Sequence, residues 1–152
     1  MRSIGAFATV AALMLATGVA HAATAEVSGG VLIYVAGPSD STLNLEGPAC
    51  YSPFPGPCPP DRFLVRILDF GGVVGRPGGE AITPGDGCAY GVDIFGPPAP
   101  GQPPPPWPAD REVYCSGVDS FNVSLGAGAD WLFASTGLAG AYFGGDGDDR
   151  FQ

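Results

Sequence analysis

Residues 144–152 read GGDGDDRFQ. Glycines at 144, 145 and 147 free the backbone for a tight, partly left-handed turn that brings carbonyl oxygens toward its axis. Asp149 adds a hard anionic oxygen, and Asp146 and Asp148 add negative field or a water-mediated contact. Carbonyl and carboxylate oxygens in combination suit calcium, which takes six to eight of them at about 2.3–2.6 Å. One turn cannot supply that many; two stacked turns can. A second stretch, residues 125–133 (LGAGADWLF), repeats the frame with Gly126, Gly128, Asp130 and Leu132, Leu125 standing where the first glycine would be. Gly117-Val118-Asp119-Ser120-Phe121 carries the glycine–aspartate–apolar core once more.

The elements that must position these turns follow from the spacing. In a nine-residue unit about six residues turn and about three extend. Two units then complete one coil, and turns two units apart stack on the same side. Asp130 and Asp149 are one residue further apart than two such units, the ten-residue stretch Ala134–Phe143 absorbing the extra. Both turns are therefore expected on one side, with Phe121, Leu132 and Phe151 directed inward. A solvated linker would not need those apolar residues.

GGDGDDRFQ satisfies every fixed place of the nonapeptide G-G-x-G-x-D-x-U-x, Phe151 being the large apolar residue, and in this the chain resembles the RTX (repeats-in-toxin, haemolysin-type) family. The resemblance implies a short parallel β-roll with calcium as its cofactor. It implies Asp130 and Asp149 as side-chain ligands, and backbone carbonyls near Gly126, Gly128, Gly144, Gly145 and Gly147 completing the shell. Upstream, Gly85-Asp86-Gly87-Cys88, then Val113-Tyr114-Cys115, then FNVSLGAGAD looks like the lead-in to the array in secreted calcium-binding proteins of actinobacterial type. The chain departs from that pattern in the proline insertion between the two cysteines and in its single complete repeat. A truncated array of this kind implies weak binding, at about 10⁻⁴–10⁻³ M.

The remaining sequence reads as an all-β protein. Short β-branched and aromatic runs occur at Val31–Ala36, Thr42–Leu45, Phe63–Phe70, Ala89–Ile94, Val113–Cys115 and Phe121–Leu125, and such runs suit strands. Turn chemistry separates them, at Gly37–Asp40, Gly71-Gly72, Gly78-Gly79 and Pro84–Gly87. Two proline-rich segments, 48–60 and 97–108, cannot sit inside a sheet ladder and are expected as surface loops. PPPPWP within the second also has the composition of a ligand for a proline-recognition groove, but a solvent-exposed insertion is the favoured reading.

Residues 1–22 have the three parts of a secretory signal peptide: Arg2, the apolar run Ile4–Ala20, and Ala20-His21-Ala22. The expected organisation is therefore a signal at 1–22, a disulfide-tied β domain at 23–116 and calcium-binding repeats at 117–152. The expected location is extracellular, with no stable membrane span after cleavage. Cys50, Cys58, Cys88 and Cys115 would then meet an oxidising compartment. Four cysteines allow three pairings, and spacing favours Cys50–Cys58 with Cys88–Cys115. Thiolate metal ligation is the alternative, without any C-x-x-C pair to favour it.

Composition narrows the function classes. The chain has 25 Gly and 17 Pro, yet 45 % hydrophobic and only 14 % charged residues, which is not the balance of a disordered chain. There is no Lys, and the one His lies in the signal. After cleavage fifteen acidic side chains face five arginines, a net charge of −10. That sign disfavours nucleic acid as a partner. Loss of both His and Lys removes the usual general bases and activated nucleophiles, so an enzyme is not expected. The leading expectation is a secreted calcium-binding protein. The alternatives are a secreted β-solenoid adhesion or interaction module that leaves its turns empty, and a non-catalytic fragment of a larger exported toxin or hydrolase.

Overall fold

The computed structural model describes residues 22–50, 63–70, 80–98, 100–103 and 108–152. Residues 1–21 of the expected signal peptide, Cys58 with its proposed link to Cys50, the expected turns at Gly71-Gly72 and Gly78-Gly79, and most of the first proline-rich segment lie outside them.

Eleven strands form two sheets among the described residues. They are β1 (Ala23–Ser28), β2 (Val31–Val35), β3 (Thr42–Cys50), β4 (Phe63–Asp69), β5 (Ile82–Pro84), β6 (Cys88–Tyr90), β7 (Glu112–Ser116), β8 (Ser120–Ser124), β9 (Trp131–Thr136), β10 (Ala139–Phe143) and β11 (Arg150–Phe151). One sheet has the order β10-β8-β2-β1-β5 and the other β11-β9-β3-β4-β7-β6. The fold is all-β, with parallel and antiparallel pairs in each sheet.

Alternation along the strands explains the layering. β1 and β2 alternate buried and more exposed residues, as a sheet with one covered face requires. Ala23, Ala25, Leu32, Tyr34, Phe121 and Val123 from the first sheet join Leu43, Leu45, Val65, Ile67, Val113 and Leu132 from the second in one core. At roughly 1.5–3 kcal/mol for each large apolar side chain fully buried, this shared core is the main force joining the sheets.

The connections matter most for the site. β2 leads through a turn into β3, β8 through a turn into β9, and β10 through a turn into β11. β2, β8 and β10 are parallel neighbours in one sheet, and β3, β9 and β11 are parallel neighbours in the other. Three strand–turn–strand units thus lie on one another. The expected boundary at 116/117 separates stretches that share both sheets, since β8 pairs with β2 and β9 with β3.

Several local expectations are corrected. Ala89–Ile94 is not one strand: β6 ends at Tyr90, and Gly91–Phe95 forms a single helical turn, α1. The Phe95 ring, just beyond that run, meets Tyr114 edge-on at 4.9 Å and docks the helical turn on β7. The segment 48–60 does not begin as a loop, because β3 continues to Cys50. The β3–β4 register shifts between Glu46 and Ala49, and this irregularity accommodates Pro48, which has no N–H for the ladder. Ala134–Phe143 is mostly extended, comprising the end of β9, the turn at Gly137-Leu138 and β10. None of the described residues in 97–108 belongs to a strand.

Cys88 and Cys115 are directly opposite one another in the β6–β7 pair and are joined as a disulfide. The bond closes a loop of 27 residues containing the second proline-rich segment. The chain-entropy estimate for a loop of that order is roughly 3–4 kcal/mol. The Cys88→Ser, Cys115→Ser double variant is accordingly expected to lose about that much stability in denaturant titration. Peptide mapping without reductant should recover the two cysteines in one cross-linked pair.

Candidate functional site

The three stacked turns comprise residues 37–41, 126–130 and 145–149. Register fixes their equivalence: Thr42 pairs with Trp131 and Trp131 with Arg150. Ser41, Asp130 and Asp149 therefore occupy the same place in successive turns. Backbone bonds tie the stack together, from Trp131 N–H to the Ser41 carbonyl (2.9 Å) and from Arg150 N–H to the Asp130 carbonyl (2.8 Å). Asp146 N–H donates to the Gly126 carbonyl (3.0 Å), and Gly128 N–H donates to the Asp146 carbonyl (2.8 Å).

Glycine is required here by close approach as well as by conformation. Gly145 and Gly147 have φ of +96° and +137°, outside the usual range of residues with a side chain. A Cβ on Gly145 would run into the Gly126 carbonyl oxygen, and one on Gly147 into that of Gly128.

The aspartates link the turns through their side chains. Asp149 Oδ1 accepts from Asp130 N–H at 3.1 Å, and Asp130 Oδ1 accepts from Ser41 N–H at 2.6 Å. Each carboxylate thus satisfies the backbone donor at its own place in the preceding turn. Asp40 adds a bond of the same kind, its Oδ1 accepting from Ala129 N–H at 3.0 Å.

The first turn is held from outside the stack. Glu80 accepts from Gly37 N–H (2.6 Å) and Ser39 N–H (3.0 Å). Asp69, at the end of β4, accepts from the Ser41 hydroxyl and from the backbone N–H groups of Thr42 and Glu80, each at 3.3 Å.

Asp130, at 0 % exposure, is the centre of this arrangement. Its Oδ2 has no hydrogen-bond partner, and neither does the hydroxyl of fully buried Tyr34. Burial pushes the Asp130 carboxyl up to about 6, against the pull of the Ser41 N–H, and the charges of Asp149, Asp40 and Asp69 add to the rise. Burial also raises the Tyr34 phenol, followed by Asp69, Glu80 and Asp130.

Of the residues expected at the site, Gly126, Gly128, Asp130, Gly144, Gly145, Asp146, Gly147, Asp148 and Asp149 all lie in or beside two adjacent turns. Asp146 and Asp148 are exposed, Asp149 is half-buried, and the Gly144 backbone lies against the Asp149 carboxylate. Phe121 and Leu132 are buried as expected, but Phe151 is 49 % exposed. Its strand pairs only with β9, and Tyr142 is its ring neighbour at 5.6 Å. Among the described residues, no three His, Cys, Asp or Glu side chains group closely enough to hold a metal ion by themselves.

Spacing alone does not reveal the turn at residues 37–41. Gly37 stands in the place of Gly126 and Leu43 in that of Leu132, and this offset match was the available signal. Ser41 in the aspartate place, with Asp40 one residue early, concealed it. Asp69 and Glu80 belong to no repeat, and only the fold brings them to the turn. No known protein family, curated protein or solved structure matches the chain.

The raised carboxyl of Asp130 has a definite pH consequence. A folded-state value of about 6 against about 3.9 in the unfolded chain means that the folded protein binds more protons between those limits. This group's contribution to stability therefore falls as pH rises from about 4 through about 6. Asp130→Asn keeps the acceptor for Ser41 N–H and removes the charge. In chelator, its stability relative to the parent is expected to rise across that window and to level off above it, as read by denaturant titration at a series of pH values.

Proposed function

We propose that the protein is a secreted, non-enzymatic calcium-binding protein, and that its turns form a short RTX-type roll with an ion between residues 126–130 and 144–149. The observation that carries this reading is the in-register stacking of two glycine–aspartate turns, with glycines where any Cβ would strike the neighbouring turn's carbonyls. The oxygens such an ion would draw on are those of Asp130, Asp149, Asp146 and Asp148, together with carbonyls of both turns. Their chemistry is that of hard oxygen, which fits calcium and disfavours softer metals. The missing three-carboxylate group is consistent with a shell built largely from backbone carbonyls.

When bound, calcium would offset the mutual repulsion of Asp130, Asp146, Asp148 and Asp149 and hold the last turn closed. The chain's own part is to set the turns in register, through the Asp149–Asp130 and Asp130–Ser41 bonds, before any ion arrives. The same bonds support the second reading, an interaction module whose aspartates serve only to link turns. Absence of His and Lys from the mature sequence supports a non-catalytic role under both readings.

Isothermal titration of the mature chain separates them. The parent is expected to take up calcium with a dissociation constant of about 10⁻⁴–10⁻³ M. The Asp130→Ala, Asp149→Ala double variant should take up none, with circular dichroism checking that it remains folded. Equal uptake by both proteins, or none by the parent at several millimolar calcium, would leave the turns as structural links alone.

A further inference from the structure

Asp130 has one carboxylate oxygen that the hydrogen bonds between the turns leave unused. Its Oδ1 is occupied by the Ser41 N–H, whereas its Oδ2 is buried without a donor. The Tyr34 hydroxyl, projecting from β2 in the same interior, is buried without a partner as well. Leaving one buried polar group unsatisfied costs about 1–3 kcal/mol, and more when the group is charged. Two such oxygens in one neighbourhood call for a shared occupant.

The surroundings indicate its charge. Among the described residues, Asp69, Glu80 and Asp130 are the charged groups acting on the Tyr34 hydroxyl, and Asp149, Asp40 and Asp69 those acting on Asp130. All are carboxylates. A water molecule would satisfy hydrogen bonds but leave this field uncompensated; a cation answers both.

We propose that the interior between the first and second turns is a further cation site, taking calcium through Asp130 Oδ2, the Tyr34 hydroxyl and the Asp69 carboxylate, with Ser41 beside it. The donor set is mixed, two carboxylates with hydroxyl oxygens, and so differs from a cage of three acidic side chains. Asp69 comes from the end of β4 and Tyr34 from β2, so the site draws on strands outside the glycine–aspartate repeat. It uses no residue after Asp130 and shares only that carboxylate with the ion proposed between the second and third turns. Occupied, it would join β2, β4 and the β8–β9 turn through one ion.

The test uses the full mature chain with Asp149→Asn, Tyr34→Phe and Asp69→Asn variants, titrated with calcium by calorimetry and with terbium(III) by tyrosine-sensitised emission. Asp149→Asn should keep one equivalent of calcium. Tyr34→Phe should weaken that equivalent about tenfold or more, the scale on which loss of a supporting group lowers metal affinity, and should remove its share of terbium emission. Asp69→Asn should abolish the equivalent. Melting temperature gives an independent reading should Asp69→Asn fail to fold. In chelator Tyr34→Phe should melt higher than the parent, because it deletes an unsatisfied buried hydroxyl; in saturating calcium that advantage should vanish or reverse. The proposal is overturned if Asp149→Asn binds no calcium while the parent binds one equivalent, which would leave only the ion between the second and third turns. It is equally overturned if Tyr34→Phe raises the melting temperature by the same amount with and without calcium, as a buried water or plain packing would predict. One equivalent retained unchanged by Asp149→Asn, with Tyr34→Phe and Asp69→Asn both lowering it, would uphold the inner site even if the outer one failed.

Discussion

A turn at the edge of a sheet has amide groups that no strand can reach, and the way those amides are satisfied governs this molecule. Ser41 N–H finds its acceptor in Asp130, 89 positions later in the chain, and Asp130 N–H finds its own in Asp149. The carboxylates thus do for the turns what ladder hydrogen bonds do for the strands on either side. An unmet buried amide is costly, so each aspartate fixes both the distance and the register between turns. The parallel pairs β2–β8 and β3–β9 then follow with Leu32, Phe121, Leu43 and Leu132 on the core face. A slip by one residue would turn Leu43 and Leu132 outward.

The same device creates an electrostatic burden. An aspartate buried deeply enough to cap a neighbouring turn loses its hydration, and with one oxygen committed to Ser41 the other is stranded. Glu80 and Asp69, which clamp the first turn, bring further negative charge to the same end of the sheets. The second sheet treats charge differently: Arg66 on β4 pairs with Glu46 on β3 (3.0 Å) and with Glu112 on β7 (2.6 Å). Arg150 spreads its guanidinium over the Trp131 ring, 4.8 Å from the centroid. Carboxylates on the sheet face are thus matched by arginine, while those at the turns are answered chiefly by backbone amides.

Much of this was legible in the residues, for identifiable reasons. The all-β character and most strand positions were readable because alternation in VLIYV and FNVSL reports one covered face. The stacking of 126–130 on 145–149 was readable because glycine and aspartate recur in a frame whose length sets the coil. What escaped was non-local. Ala89–Ile94 alternates like a strand, but its second half coils, and Phe95 beside it packs on the Tyr114 ring of β7. Only Gly37 and Leu43 hint that this turn will lie beneath Gly126, since Ser41 replaces the aspartate and the partner residues are far along the chain. Asp69 and Glu80 end or follow ordinary segments, and their importance arises only when β4 is laid against β3.

The pairing of β2 with β8 and of β3 with β9 sets an order of events in time. β1 and β2 can meet as a hairpin early, but the parallel neighbour of β2 is not synthesised until residue 124, and the clamp on Ser41 not until residue 130. Contacts between such distant segments must meet the loop-closure cost before they return any stability, and chains dominated by them fold slowly. A growing chain of this sequence can pair β1 with β2 and β3 with β4 early, but its stack of turns has nothing to close on until β8 and β9 exist. The acidic turns would be the last part to come together, after the antiparallel strands that precede them.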